Sequence, residues 1–163
     1  MNPTKIDLTP DHREQLCMLL NARLADIIDL TLQAKQAHWN VKGPHFISLH
    51  KLFDEVYEQF AGLTDDVAER LVALGGNAEG LLQIVSKRTT LPAYPLKIHD
   101  GKAHVDALSS ALAVFGKTIR QDINRADELG DADTADLFTQ ISRTSDKYLW
   151  FVEAHLYSEG PAK

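Results

Sequence analysis

A single cysteine, Cys17, occurs in the chain's 163 residues, so no disulfide can form within it. That usage suits a reducing compartment. Cys17 lies in an apolar helical stretch with no histidine three or four residues away, and it reads as a buried, inert thiol. Positive charge is also short, with 17 Lys and Arg against 23 Asp and Glu and a net charge of −6. Nothing in that balance invites a phosphate backbone or an acidic membrane. No apolar run approaches membrane-spanning length, and neither end pairs a basic segment with an apolar one, so a cytoplasmic location is expected. A glycine-rich phosphate loop, an internal repeat and a Glu-x-x-His motif are all missing. The length predicts one domain over 1–163, with short tails at 1–9 and 158–163.

What the chain does have is helical periodicity. Thr9-Pro10 is a cap residue followed by proline at the first helical position, and opens a helix to about Trp39 with Leu16, Leu20, Leu24, Ile27 and Thr31 on one stripe. After the short turn Asn40–Pro44 a second helix runs from about Phe46 to Leu74, stopped by Gly75-Gly76. A third spans about Gly101 to Leu129 and a fourth about Asp133 to Tyr157, separated by the turn Gly130-Asp131. The connection from Gly76 to Asp100 is long, holds Pro92 and Pro95, and carries a short helix around Leu81 to Val85. It can travel the bundle's length and make helices two and three parallel. The predicted fold is all-α: a ferritin-like four-helix bundle, two antiparallel hairpins joined by one long crossover with its short helix.

The second helix carries the chemistry. His50 and Asp54, then Asp65 and Glu69, are two metal-ligand pairs at i,i+4 spacing. With His50 at zero, the other three lie at about 40°, 60° and 100° around the helix, so all four share a face. The core stripe Leu49, Phe53, Val56, Phe60, Leu63, Val67, Leu71 and Leu74 points about 150° away from it. Yet Asp54 and Asp65 are separated by about 16 Å along the axis, too far for one ion. The position numbers in the pairs His50/Glu69 and Asp54/Asp65 both add to 119. A second copy packed antiparallel about a two-fold axis would set His50 opposite Glu69 and Asp54 opposite Asp65, building two identical sites from one contact. Ala61 and Gly62 near the crossing point would let the backbones approach.

Ala37-His38-Trp39-Asn40, His50-xxx-Asp54 and Asp65-xxx-Glu69 with Leu74-Gly75-Gly76 resemble the Dps family, the DNA-binding proteins from starved cells. Pro92-Ala-Tyr-Pro95, Asp133-Thr-Ala-Asp136 and Asp146-Lys-Tyr-Leu-Trp-Phe151 match it too, so the resemblance covers nearly the whole chain. It implies a hollow dodecamer that oxidises Fe(II), preferably with hydrogen peroxide, stores the ferric mineral and protects DNA from oxidative damage. It implies an iron site with His38, His50 and Asp54 from one chain and Asp65 and Glu69 from another. Read alone, His38 at the end of an apolar stripe fits a core histidine; the resemblance makes it a ligand, directly or through water. Trp39, read alone a packed aromatic, becomes an electron donor or radical trap beside the iron. Carboxylates favour Fe(III) while imidazole helps hold Fe(II), and zinc is expected to compete on the usual divalent order. Two other classes stay open: a structural DNA-compacting nucleoid shell with little ferroxidase activity, and a manganese or zinc bundle.

Asp122, Asp127, Glu128, Asp131, Asp133 and Asp136 gather around the last helical turn. Asp131 or Asp133 suits an N-cap. The resemblance places three-fold pores here, and Asp122, Asp127 and Asp131 are expected to line them. DNA is a different matter. Family members that bind it directly often use lysine-rich arms, but the first fourteen residues hold only Lys5 and Arg13, with a free arm of about nine residues expected before the helix. Twelve copies at −6 would carry about −72, which repels DNA at long range. DNA binding should therefore be weak or absent at neutral pH and about 150 mM salt. An electrophoretic shift at micromolar protein under those conditions, lost on deleting residues 1–9, would overturn this expectation.

Overall fold

Each long helix begins or ends where the sequence supplies a specific backbone device. In the computed structural model, which describes residues 1–157, α1 spans Pro10–Asn40, α2 Phe46–Ala73, α3 Leu82–Arg88, α4 Gly101–Glu128 and α5 Ala132–Glu153. A 3-10 turn at Ala154–Leu156 closes the described chain. The fourth long helix was expected to reach Tyr157 and instead tightens into this turn. The tail expected at 158–163 lies outside the described residues. Thr9 caps α1 by accepting from the His12 N–H at 3.2 Å, and Pro10 occupies the first turn, where no amide donor is needed. α2 ends at Gly75 with φ +93°: Gly76 N–H reaches Leu71 O at 3.1 Å and Gly75 N–H reaches Val72 O at 2.9 Å. Gly130, φ +76°, ends α4 with the same pair of bonds, Asp131 to Ala126 and Gly130 to Asp127. Both are Schellman closures, and both need the left-handed conformation glycine adopts freely.

The topology is the one expected. The α1–α2 and α4–α5 hairpins pack against each other through α1·α4 and α2·α5, and α3 lies on α1. The crossover brings the chain back to the end of the bundle where α2 begins: Lys42 N–H bonds to His99 O at 3.1 Å, and Leu49 of α2 lies against Gly101 at the start of α4. α2 and α4 therefore start together and run parallel, the ferritin-like arrangement. Phe53, Phe60, Phe115 and Phe138 are fully buried, with Phe60 edge-on to Phe115 and to Tyr148 at the middle of the core.

α1 is enclosed on more sides than its stripe foretold. Arg23, Asp26 and Gln33 are buried with its leucines. Arg23 bridges Asp26 and Asp122 of α4, each at 3.0 Å, while Asp26 accepts from the Thr90 N–H at 2.7 Å. Buried charges at these positions are tolerated because they are paired and hydrogen-bonded. Residues 1–9 are non-helical as expected, but they are not a free arm. Asn2 N–H is bonded to Gly75 O at 2.6 Å, and Ile6 and Leu8 pack against the core.

Asp131 caps α5, accepting from Thr134 N–H at 3.2 Å and from Arg70 of α2 at 2.6 Å. Burial pushes its carboxyl up, but the hydrogen bonds from Arg70 and Thr134 outweigh that and hold it below the usual value. The stability it contributes is thus full above the unfolded carboxylate value of about 4 and fades as pH falls through the lower folded one. Asp131→Ala should cost about 2 kcal/mol and lower Tm by about 4–8 °C at pH 7, with a smaller difference near pH 3. Calorimetry at the two pH values checks it.

Candidate metal centre

α2 must bury one face and leaves the opposite one bare. Leu49, Leu52, Phe53, Val56, Phe60, Leu63, Val67 and Leu71 are buried. On the other side His50 and Asp54 are half-buried, and Asp65 and Glu69 are exposed. Gly62 lies on that outward side, and a β-carbon built on it meets nothing within 4 Å. The helix therefore presents both carboxylate-bearing pairs and a smooth stretch between them, as its periodicity predicts.

The end of α1 and the start of α2 lock two histidines together. His38 Nδ1 lies 2.7 Å from the His50 carbonyl oxygen, and His50 Nδ1 lies 2.9 Å from the His38 carbonyl oxygen. A carbonyl only accepts, so each Nδ1 carries the hydrogen and each Nε2 keeps its lone pair. The rings stack with centroids 3.7 Å apart and planes 21° apart. This is the arrangement that orients imidazole ligands: a backbone acceptor on one ring nitrogen, the other free for a metal. Trp39, next in sequence, is 68% exposed and is not the packed aromatic its sequence context suggested.

Asp54 has a partner that the sequence reading missed. Lys35 Nζ contacts its carboxylate and also sits over the Tyr57 ring, 4.3 Å from the centroid. The hydrogen bond from Lys35, helped by its charge, holds the Asp54 carboxyl below the usual range against the opposing effect of desolvation. The signal was available: Lys35 precedes His38 by three residues, which puts the two on neighbouring turns of α1. Asp65 and Glu69 have no ion-pair partner among the described residues. Nor does this single chain bring any three His, Cys, Asp or Glu side chains, among the described residues, into one group able to hold a metal ion. It has the histidine-rich half near Asp54 and the acidic half near Asp65, and they stay apart.

Comparison with known proteins identifies the family. The ferritin-like domain family matches residues 17–158. A DNA protection during starvation protein of Agrobacterium fabrum is 48% identical over 153 residues, covering 94% of each chain. The Mycobacterium smegmatis Dps structure superposes with a TM-score of 0.92 at 32% identity, covering 98% of this chain and 96% of that one. A Dps structure from Microbacterium arborescens described as the high iron form gives 0.85 at 30% identity, covering 91% and 96%. The chain belongs to the Dps family of ferritin-like proteins.

Two acids expected to line a Dps pore are engaged inside the subunit instead. Asp122 is buried and paired with Arg23 at 3.0 Å; burial pushes its carboxyl up, against the pull of that guanidinium. Asp131 is 4% exposed and is spent on the α5 cap and Arg70. Each of these two carboxylates is shielded within its own subunit and paired with an arginine. Asp127 is exposed and unpaired among the described residues, and with Glu128, Asp133 and Asp136 keeps an acidic surface at this corner. The acid-rich turn was legible in the sequence; which acids an arginine would claim was not, because Arg23 and Arg70 come from α1 and α2.

Lys35→Met removes the donor on Asp54 without opening a cavity. The Asp54 carboxyl should then titrate closer to the ordinary carboxylate value. Difference infrared titration against Asp54→Asn reads this group alone, and an unmoved titration would show that Lys35 does not hold it.

Proposed function

We propose that this Dps protein is a ferroxidase and iron store that completes its oxidation sites by pairing α2 with α2 of a second chain. The observation that carries this reading is the division of ligands on one outward helix face, with two oriented histidines and Asp54 at one end and unpaired Asp65 and Glu69 at the other. In the antiparallel pairing His38, His50 and Asp54 of one subunit meet Asp65 and Glu69 of the next, and each dimer holds two sites roughly 22 Å apart. The open side of Gly62 gives the second backbone room to approach.

Fe(II) is the substrate. The free Nε2 atoms of His38 and His50 supply borderline donors that hold Fe(II), and the carboxylates supply hard oxygen donors that favour Fe(III). Hydrogen peroxide accepts two electrons, which two Fe(II) ions provide; where only one Fe(II) is bound, Trp39, next to His38 in the chain, would supply the second. Lys35 keeps the Asp54 carboxylate ionised and oriented before iron arrives, and a bound cation would take its place. Zn(II) fits the same donors without redox chemistry and should inhibit. Assembly into a closed shell, a dodecamer by family resemblance, would enclose the product, and DNA is protected by removal of Fe(II) and peroxide rather than by tight binding. The iron content stated for the Microbacterium arborescens relative supports this reading. Among the described residues, no helix is long and apolar enough to cross a membrane.

The split site has a direct test. Asp65→Ala and His50→Ala should each reduce the peroxide-driven Fe(II) oxidation rate by at least about tenfold, with helix content unchanged. In a protein reassembled from equal amounts of the two variants, half the dimers are mixed, and each mixed dimer has one site with both ligands intact. About a quarter of the parental rate should return. A mixture no more active than either variant would rule out sharing across the interface.

A further inference from the structure

Every sulfur atom in the chain lies around one cleft. The sequence holds one cysteine and two methionines, and Cys17, Met18 and Met1 all line a cavity of about 530 Å³ between α1 and the Gly75-Gly76 turn. Its walls are bonded in place. Asn2 is tied to Gly75, as above, and brings Met1 to the rim, while the Asn21 side chain donates to Asn77 O and accepts from Glu79 N–H, both at 3.0 Å. Core packing does not account for the methionines, since Met1 is 58% and Met18 61% exposed. A methionine serving as core filler would be buried.

The cysteine beneath them has an unusual neighbour. Arg13 is 9% exposed and has no carboxylate in ion-pair range among the described residues. Its Nη1 reaches only the carbonyls of Asn2 and Leu74, and its Nε is buried without a partner. Cys17 follows it at i+4, one turn along the same face. Burial pushes the Cys17 thiol up, while the Gly76 amide and the Arg13 guanidinium favour its ionised form. The charge of any ion bound here is therefore constrained. A monovalent cation that replaces the thiol proton leaves the charge beside the buried guanidinium unchanged. A divalent ion adds a positive charge beside that guanidinium, against which the cleft sets only Glu14, since Glu79 is paired with Arg88.

We propose that Cys17, Met18 and Met1 form a site for a soft monovalent cation of the Cu(I) class. Thiolate and thioether sulfurs select Cu(I) over the harder ions suited to carboxylates. Binding forms a metal–sulfur bond at Cys17 as the S–H bond breaks and its proton leaves to solvent, with no change of oxidation state. The site is separate from the iron centre and independent of that reading.

The test uses the full-length, iron-free assembled protein under anaerobic conditions, titrated with Cu(I) against the coloured chelator bicinchoninate. About one Cu(I) per chain should be withheld from the chelator, with release of about one proton for each. Met18→Leu, at an exposed position that leaves folding intact, should weaken binding by about tenfold or more. Cys17→Ser should abolish it, with circular dichroism confirming the helices, and Asp65→Ala should leave it unchanged. The proposal is overturned if the chelator strips all the copper from the parent protein, if Met18→Leu and Cys17→Ser bind as tightly as the parent, or if His50→Ala rather than these variants removes the copper.

Discussion

The burial of Phe60 at the centre of the core decides how α2 is rotated, and much of the structure's chemistry depends on that rotation. A helix turns about 100° per residue, so a stripe fixed inward by Phe53, Val56, Phe60, Leu63 and Val67 fixes the opposite stripe outward. His50, Asp54, Asp65 and Glu69 occupy that second stripe. No adjustment within one chain brings the two halves together, because the rise of the helix separates them by about 16 Å. On the proposed function, the core that stabilises the subunit thereby leaves the ligand set incomplete, and a second copy would complete it. Folding and assembly are linked through one helix whose two faces have different tasks.

The ends of the bundle do the complementary work of placing α1. Its last turn supplies His38, and the reciprocal bonds between His38 and His50 need the C-terminus of α1 to sit beside the N-terminus of α2. The short turn around Gly43 sets the distance, and the Arg23–Asp26–Asp122 network with Thr90 pins the middle of α1 to α4 and to the crossover. That network is structural rather than catalytic. Replacing it by apolar residues of similar volume would be tolerated better than removing one partner, which leaves a buried charge exposed to its own desolvation cost.

How much of this was legible from the residues follows from the range of each interaction. The long helices, the glycine stops at Gly75 and Gly130, the crossover and the outward ligand face rest on periodicity and local backbone chemistry, and they emerge as expected. What escaped were contacts between distant segments. Arg23 meets Asp122 across 99 residues and Arg70 meets Asp131 across 61, and these pairings turned expected pore acids into buried ones. Lys35 on Asp54 and the docking of Asn2 on Gly75 escaped for the same reason. α1 was read from a single stripe, but it is packed by α2, α3 and α4, and its buried Arg13, Arg23 and Asp26 belong to faces that a stripe does not reveal.

The distribution of donor atoms gives the chain a chemical division. Hard oxygens and borderline nitrogens lie on the outward face of α2, and all the sulfur lies by the turn that ends the same helix. Iron sites lose efficiency when a more tightly binding ion occupies them, and the divalent order puts copper above iron for nitrogen and oxygen donors. Sulfur donors beside an uncompensated arginine take copper in its monovalent form, for which the carboxylate-rich face is a poor match. Keeping the two donor classes on separate surfaces would let one chain handle both metals without either displacing the other, provided that copper arrives reduced.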